Sequence, residues 1–526
     1  MPKFFIICNN TLTYGDEMSR KTIITGTLIL TAANLITKLM GFFYRVFMSN
    51  TIGAEGIGLY QLILPIYILT WSITSAGFTT TISRLSAQEN VLGQSGNIGR
   101  IVKQSIVLSL MVSLVVSGCL FLFADKIALI VLKDGRAALS LRLLSFAIPF
   151  MSIGSCLRGF FLGLQNALVP AFSQVLEQAV RILTIYLLAG IFVPMGLTYA
   201  CCAAVAGVVL GEFLSFAFVF VSYLRFKRRK KMIKKPTLSS YAACNMILTM
   251  ALPLSATRIV GSLLSTTENI LIPRQLQLYG QNAQEALISY GELTGMALPL
   301  ILLPSACLMA ASVSLVPEIS EACAVRQNQR INRTVSVTFL FTFIVGIGAA
   351  ALFAVFPREI CYIVYNRQGL GELLFPLAFL CPFIYAQTTL HGLLNGMGEQ
   401  LFLFQNNLIN SAITIAGIWF FMPLYGIPAF LISWAAGMIY SVGSCLHKLY
   451  IRTGVFPDLA DCFVKPLLAG AASGLLIRYI IRISTPSKLL FFLSLTAMGL
   501  LYLVFLLMLG CFSKENMAAF FGKKKT

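Results

Sequence analysis

Long runs of apolar residues, separated by short polar stretches, dominate this 526-residue chain. About 20 apolar residues in a helix cross the roughly 30 Å hydrocarbon core of a bilayer. The runs do not alternate apolar with polar residues, which argues against a transmembrane barrel. The pattern therefore predicts an all-α polytopic membrane protein with about fourteen transmembrane helices. In chain order, the predicted crossings 1 to 14 span 22–48, 58–83, 101–124, 138–164, 168–192, 196–224, 241–272, 289–315, 333–356, 371–395, 400–423, 426–450, 462–483 and 488–512.

Composition supports the membrane assignment and narrows the chemistry. Hydrophobic residues make up 58% of the chain and charged residues only 11%, whereas soluble domains carry about 25% charged residues. The mean hydropathy is +0.84. The thirteen cysteines are scattered without a CxxC pair, so we expect them to act as small buried apolar residues rather than as metal ligands or disulfides. Because the sequence has no Walker loop and no His/Cys metal cluster, we expect no cofactor or metal. Any energy must then come from a Na+ or H+ gradient, the membrane potential or the flux of substrate.

The net charge of +20 comes from basic residues between the crossings, which indicate orientation rather than nucleic-acid binding. Most of them lie on the side that holds the N-terminus, the even-numbered loops and the C-terminus. The positive-inside rule therefore predicts a cell-membrane protein with both termini in the cytoplasm. The largest cluster can also contact anionic lipid headgroups, and it comprises Arg225, Lys227, Arg228, Arg229, Lys230, Lys231, Lys234 and Lys235. Residues 1–17 fit the rest poorly, which makes Met18 a candidate start.

Two units of six crossings repeat each other. The motif TKLMG at 37–41 in crossing 1 is matched by TRIVG at 257–261 in crossing 7, and further matches follow at a nearly constant offset. Each unit has an even number of crossings, so both copies enter the membrane in the same direction, as in transporters whose substrate path lies between repeats. The expected domains are a cytoplasmic N-terminus at 1–21, an N-lobe at 22–224, a basic cytoplasmic loop at 225–240, a C-lobe at 241–450, and crossings 13 and 14 with a basic tail at 451–526.

Charged residues inside the crossings are candidate functional residues, because a charge at a helix centre costs about 2.5–3.5 kcal/mol on insertion scales. They are Lys38, Arg45, Arg142, Arg158, Glu177, Arg181, Glu212, Arg258, Glu268 and Glu292. Lys38 and Arg258 occupy equivalent repeat positions, so we expect them on opposite walls of one central cavity, where they would bind a phosphate-bearing ligand. The alternative is pairing with Glu292 in a static core. Glu177 and Arg181, spaced i, i+4, form either an ion-coupling site or a structural pair.

Four further residues complete the candidate set. Arg45, near a helix end, either faces the cavity or reaches the lipid headgroups. Arg158 and His391 are repeat-equivalent, and each precedes a GxxxG pattern that permits close helix packing. Gln61 in crossing 2 is an additional polar candidate for the cavity.

Several motifs resemble the stage V sporulation protein B family, namely TLIL at 27–30, TKLMGF at 37–42, IGAEGIGLY at 52–60 and GMALPL at 295–300. That family belongs to the multidrug/oligosaccharidyl-lipid/polysaccharide exporter superfamily, which includes lipid II flippases and drug extruders. The resemblance implies an alternating-access flippase for an undecaprenyl-pyrophosphate-linked saccharide. It further implies a peptidoglycan precursor for the spore cortex as the cargo, with cell-wall synthases as candidate partners.

The resemblance also implies a site, from which this chain departs. In the lipid II flippases, arginines of helices 1, 2 and 8 line the cavity. Lys38 matches the first basic position, whereas the next arginine of helix 1 falls on Tyr44, with Arg45 rotated by about 100°. The helix 2 positions are apolar here, and the helix 8 arginine falls on Glu292. Arg258 is therefore expected to supply charge that the relatives place elsewhere.

Three other functions remain open. A cation-coupled drug extruder would place acidic residues such as Glu177, Glu212 and Glu292 in the cavity. A polymerising glycosyltransferase would normally need a large external loop or an acidic catalytic motif, and the sequence contains neither. A non-transporting scaffold for cell-wall assembly would not need duplicated intramembrane charge. The sequence thus predicts a transporter rather than an enzyme, with a lipid-linked saccharide and membrane lipids as partners and no nucleic acid.

Overall fold

The computed structural model describes residues 15–229, 236–306, 308, 319, 327–454, 460–481 and 488–511, and these residues are helical throughout apart from short connections. No strand occurs in these ranges, so the predicted all-α polytopic class is confirmed. The long and medium helices span Gly15–Trp71, Gly77–Val91, Ser95–Leu122, Ala137–Ser145, Ala147–Gly163, Leu168–Phe192, Leu197–Arg229, Ser240–Leu278, Ala283–Gly291, Leu298–Leu302, Asn328–Val355, Pro357–Tyr365, Gly371–Ala378, Cys381–Gly396, Gln400–Tyr425, Ile427–Thr453, Lys465–Ile481 and Lys488–Met508. Short π-helical turns occupy Ser72–Ala76, Ile127–Val131, Glu292–Ala297 and Ala460–Val464.

Crossings 1 and 2 form one long helical stretch that changes direction at Gly53. The helix Gly15–Trp71 has a non-helical residue at Gly53, with φ 73° and ψ −178°. A positive φ costs little for glycine, which has no Cβ. The π-helical turn Ser72–Ala76 then continues the second crossing into the helix Gly77–Val91, which extends beyond the predicted end at 83.

Crossings 4 and 10 are each built from two helices rather than one. The pair Ala137–Ser145 and Ala147–Gly163 is bent by 42°, and the pair Gly371–Ala378 and Cys381–Gly396 is bent by 54°. The hydrophobic runs predicted the two crossings but gave no sign of the bends, because both halves remain apolar. The bends fall at positions that the sequence repeat makes equivalent.

Ten helices in the described ranges are long and apolar enough to cross a membrane, or twelve if each bent pair is one crossing. The first of the ten, Thr25–Val91, is 67 residues long and includes the break at Gly53. At 1.5 Å per residue it greatly exceeds one bilayer thickness, so it holds more than one crossing. The later part of crossing 8, most of residues 1–17, Lys230 to Lys235 and the tail after Cys511 lie outside the described residues. The count of fourteen therefore stays a prediction.

Large apolar side chains face outward along the bundle, as a lipid-covered surface requires. Leu187, Phe420 and Leu500 are each more than half exposed, although they lie in the middle or last part of apolar helices. In water such a surface would be an aggregation hazard. The bundle is therefore suited to a bilayer, where these side chains contact acyl chains.

The two predicted lobes meet closely through glycines at the end of the bundle opposite the N-terminus. A Cβ added at Gly291 of crossing 8 would collide with the carbonyl oxygen of Ala54 and would lie 2.7 Å from the backbone nitrogen of Gly58. A Cβ at Gly58 would collide with the carbonyl oxygen of Leu287. These backbones approach so closely because small residues leave no side chain between them. The contact joins crossings 2 and 8 at this end of the bundle.

Candidate functional site

A cavity of about 520 Å³ lies between the lobes, beyond this glycine contact. The N-lobe contributes the second half of crossing 1, the first half of crossing 2 and the middle of crossing 5, and the C-lobe contributes crossings 8 and 10. The lining consists of Thr37, Lys38, Gly41, Phe42, Tyr44, Arg45, Tyr60, Leu64, Tyr67, Ile68, Gln178, Arg181, Pro299, Leu302, Leu303, Ser305, Ala306 and Thr388. Three of these side chains are cationic, and none is a carboxylate.

The three cations, Lys38, Arg45 and Arg181, all belong to the N-lobe. Lys38 and Arg45 are seven residues apart, which puts them on one face of the helix and about 10 Å apart along its axis. Gly41 lies between them, and a Cβ there would stand 3.5 Å from Nε2 of Gln178. Crossing 5 therefore packs against crossing 1 at ordinary van der Waals distance from Gly41, and Arg181 lies on the same wall.

Arg181 forms an ion pair with Glu177, one turn earlier in the helix Leu168–Phe192. Arg181 Nη2 lies 2.9 Å from Glu177 Oε1, and the two side chains are 15% and 18% exposed. Crossing 6 packs tightly behind them, since Cβ atoms added at Gly207 and Gly211 would lie 3.0 and 2.9 Å from the carbonyl oxygens of Arg181 and Glu177. The pair anticipated from the i, i+4 spacing is present, and Arg181 lines the cavity while Glu177 does not.

Behind the cationic wall lies a second buried carboxyl. Glu212 of crossing 6 is 3% exposed, and its Oε1 accepts a hydrogen bond of 2.5 Å from the hydroxyl of Tyr67, which lines the cavity. Glu212 Oε2 has no hydrogen-bond partner in the described part of the chain. Arg158 donates instead to Ser215 and Ser155, at 3.2 and 3.0 Å, and it does not line the cavity.

Four residues that we predicted to line the cavity are absent from its lining, namely Arg158, Arg258, Glu292 and Gln61. Arg258 is exposed on crossing 7 and is absent from the lining. Glu292 forms an ion pair of 3.1 Å with Arg367 next to the glycine contact. Gln61 is 8% exposed and donates a hydrogen bond of 3.3 Å to the carbonyl oxygen of Thr294 across the lobe contact. Crossings 8 and 10, rather than crossing 7, supply the described residues of the C-lobe wall of this cavity. The expected opposition of Lys38 and Arg258 therefore stays a prediction.

The C-lobe wall is largely apolar. It presents Pro299, Leu302, Leu303 and Ala306, with Ser305 and Thr388 as its only polar members among the described residues. The sequence reasoning did not single out Gln178, Tyr67 or Thr388. Gln178 could have been predicted from the sequence, because it is a polar residue three positions before Arg181 and therefore shares its helix face. The cavity can hold an anion against one wall and an uncharged group against the other.

Comparison with known proteins places the fold and the sequence among transporters. The model of the polysaccharide biosynthesis protein family matches residues 23–323. Stage V sporulation protein B of Bacillus subtilis (strain 168) is 30% identical over 429 residues, covering 80% of this chain and 82% of that protein. Lipid II flippase MurJ of the same organism is 27% identical over 369 residues, covering 64% of this chain and 65% of that protein.

Solved structures show the same fold at low identity. A structure of lipid II flippase MurJ in an inward closed conformation matches with a TM-score of 0.68 at 16% identity, covering 90% of this chain and 97% of that chain. A multidrug resistance MATE family transporter of the MOP superfamily, in an inward-facing conformation, matches with a TM-score of 0.63 at 14% identity, covering 81% and 98%. These likenesses confirm the prediction of a transporter rather than an enzyme.

Proposed function

Because the chain belongs to the polysaccharide biosynthesis protein family, and its resemblance to stage V sporulation protein B is confirmed, we propose that it is a flippase for a polyprenyl-pyrophosphate-linked saccharide. One observation carries this proposal. The inter-lobe cavity presents Lys38, Arg45 and Arg181 on one wall, and no carboxylate occurs among the lining residues that the structure describes. Such a site favours an anionic ligand, and arginine in particular recognises phosphate through several donors at once.

The division of the cavity suits a substrate with two unlike parts. The pyrophosphate would contact the cationic N-lobe wall, where low local polarity strengthens each charge-assisted hydrogen bond. The saccharide would lie against the C-lobe wall, with Ser305 and Thr388 as polar contacts. The polyprenyl tail would stay in the bilayer, so the lipid never has to leave its preferred solvent.

Transport would follow from movement of the lobes around this site. In our proposal both termini are cytoplasmic, so the glycine contact of Gly58 and Gly291 closes the outer end. Rocking of the lobes would separate that contact and expose the headgroup outside, which is the alternating-access behaviour of repeat-built transporters. The membrane potential acts on any charge that crosses the membrane. Because the inside of the cell is negative, it would favour outward movement of the anionic pyrophosphate.

The saccharide itself is inferred from the relatives. Stage V sporulation protein B and lipid II flippase MurJ are among the matches, which supports a peptidoglycan precursor as the cargo and spore cortex as its destination. Cell-wall synthases would be its partners on the outer side. A cation-coupled drug extruder is the second candidate, favoured by the buried Glu212 behind Tyr67 and by the MATE-like fold.

A translocation assay in proteoliposomes tests the proposal. Fluorescent lipid II is placed in the inner or outer leaflet, and its appearance on the other side is followed with an impermeant quencher. We expect transport by the wild type and a loss of at least about tenfold with Lys38→Ala or Arg45→Ala, because each removes a charge-assisted contact. Arg158→Ala is the matched control, since Arg158 is an intramembrane arginine of the same lobe outside the lining.

Two outcomes would overturn the proposal. The first is a well-folded wild type that moves no polyprenyl-linked saccharide but expels cationic drugs, which would favour the extruder. The second is a loss of transport that is equal for Lys38→Ala and Arg158→Ala, which would show that any buried charge matters and that the cavity is not the site.

A further inference from the structure

We propose that a second cavity, on the C-lobe, binds a phospholipid whose headgroup carries both a phosphate and an amine. The cavity measures about 1060 Å³ and lies between the end of crossing 9, the helix Pro357–Tyr365, the start of crossing 10 and the last turns of crossing 13. Among the described residues, none lines both this cavity and the inter-lobe cavity. The inference is therefore independent of the cargo proposed above.

The cavity begins where crossing 13 separates from crossing 9. A Cβ added at Gly474 would lie 2.9 Å from Cγ2 of Val355, so the two helices are in close contact there. Leu475, the next residue, already lines the cavity. The opposite wall is packed as closely, since a Cβ added at Gly371 would lie 2.8 Å from Cα of Arg358. The cavity is thus a fixed gap between crossing 13, which lies outside the sequence repeat, and the crossings of the repeat.

The cavity lies at a bilayer surface, at the end of the bundle that holds the glycine contact. Its wall includes the helix Pro357–Tyr365 in the connection between crossings 9 and 10, and Asn50, at the end of crossing 1, donates a hydrogen bond of 3.2 Å to the carbonyl oxygen of Val364. Leu475 and Tyr479 of crossing 13 line the cavity and are exposed. Tyrosine is enriched at the level of the lipid headgroups. Because a void leaves its lining without packing partners, we expect a lipid to fill this gap.

Both signs of charge line the cavity, and this selects the headgroup. Arg358 and Arg478 supply guanidinium groups, while Glu359 and Glu372 supply carboxylates. A guanidinium group binds a phosphate through several donors at once, and a carboxylate accepts hydrogen bonds from an ammonium group. A phosphatidylethanolamine headgroup contacts both sets. A phosphatidylglycerol headgroup, which has hydroxyl groups in place of the amine, can form its charged contacts only with the arginines.

The ion pair within the cavity lining is loose enough for a headgroup to replace it. Arg358 Nη2 lies 3.6 Å from Glu372 Oε1, and the side chains are 69% and 76% exposed. An exposed pair at this distance stabilises a protein little, so both groups are accessible to a ligand. Ligand pockets usually measure about 300–1,000 Å³. The volume of this cavity therefore admits the headgroup, the glycerol and the first part of the acyl chains.

Lipid binding to the purified full-length protein tests the inference. The protein in detergent is titrated with phosphatidylethanolamine or with phosphatidylglycerol of the same acyl chains, and bound lipid is counted by native mass spectrometry. We expect the wild type to bind the amine-bearing lipid at least about tenfold more tightly, and Arg478→Ala to lower that affinity by about tenfold or more. Arg142→Ala is the matched control, because Arg142 forms an exposed ion pair with Asp125 at the same end of the bundle, outside the cavity lining.

A second variant tests recognition of the amine. Glu359→Gln/Glu372→Gln removes both carboxylates and nearly preserves side-chain size, and neither residue is buried. We expect it to lose most of the preference for phosphatidylethanolamine and to bind phosphatidylglycerol at least as tightly as the wild type does. Equal affinity of the wild type for the two lipids, or an equal loss with Arg478→Ala and Arg142→Ala, would overturn the inference. Tighter binding of a polyprenyl pyrophosphate at this cavity would also overturn it, and would assign the cavity to the transported lipid.

Discussion

Tyr67 and Glu212 join the surface of the cavity to a carboxyl in the interior of the N-lobe, through a hydrogen bond of 2.5 Å. Glu212 is 3% exposed, and Tyr67 is among the residues that line the cavity. The other oxygen of Glu212 has no partner in the described part of the chain. This hydrogen bond is therefore the contact that offsets the cost of removing Glu212 from water.

We first predict that the Tyr67–Glu212 contact contributes to stability in a non-additive way. Tyr67→Phe leaves the carboxyl buried without a donor, and Glu212→Leu leaves the hydroxyl without an acceptor, so each should cost about 1–3 kcal/mol. The double variant removes both polar groups and should be more stable than the sum of the single effects implies. The stability of the three variants is measured by heating each in detergent and recording the fraction that stays monodisperse. Additive losses would contradict a direct interaction.

The second prediction concerns Gly291, where the lobes touch. Gly291→Ala should prevent close approach to Ala54 and Gly58, because the new Cβ would occupy the space of their backbone atoms. We expect transport to fall by about tenfold or more, and spin labels on the two lobes to report a larger separation at this end. Gly261→Ala in crossing 7 is the matched control, since a Cβ there meets no atom of the described residues within 4 Å. Equal behaviour of the two variants would rule out the contact as a closed gate.

The third prediction concerns the connection between crossings 10 and 11. Burial opposes ionisation of Glu399, but Lys448, at 3.2 Å, and Arg452 outweigh it and hold the pKa of Glu399 below its ordinary value. A carboxyl whose pKa is lower in the folded state stabilises the protein fully above its ordinary pKa, near 4.3, and loses that contribution as pH falls through the folded value.

We therefore expect Glu399→Gln to lower the thermal midpoint at pH 7. The difference from the wild type should shrink as the pH falls below about 4.3, where the carboxyl of the unfolded chain is already protonated. Glu372→Gln is the control, because its contact with Arg358 is longer, at 3.6 Å, and its side chain is 76% exposed. A destabilisation by Glu399→Gln that does not change with pH would show that the charge is not the cause.

The crossings and the cationic character of the cavity could be predicted from the sequence, but the composition of the cavity wall could not. Hydrophobic length identifies a crossing, and Lys38 stands out because a charge in such a run is costly. The place of Arg181 depends on which face of crossing 5 meets crossing 1, and that is decided by packing between helices that are far apart in sequence. Repeat symmetry places Arg258 in an equivalent helix, yet it does not determine which C-lobe crossings bound the cavity.

The breaks and bends were hidden for a related reason. Gly53 lies in a short polar interval that predicts only a connection, and the bends in crossings 4 and 10 leave the apolar composition unchanged. The direction in which a helix turns depends on its neighbours in the bundle, and that information is spread over residues far apart in sequence. Local hydropathy therefore predicts the approximate extent of the apolar helices but not their shape.

The last prediction concerns orientation, which the basic residues indicate. Gln284, next to the glycine contact, and Gln94, between crossings 2 and 3, are both exposed and lie at opposite ends of the proposed bundle. If both termini are cytoplasmic, an impermeant maleimide added to intact cells should label Gln284→Cys and not Gln94→Cys, whereas permeabilised cells should show both. The wild type provides the background from its own cysteines. The reverse pattern would put the basic loops outside, against the positive-inside rule, and would turn the glycine contact into a cytoplasmic gate.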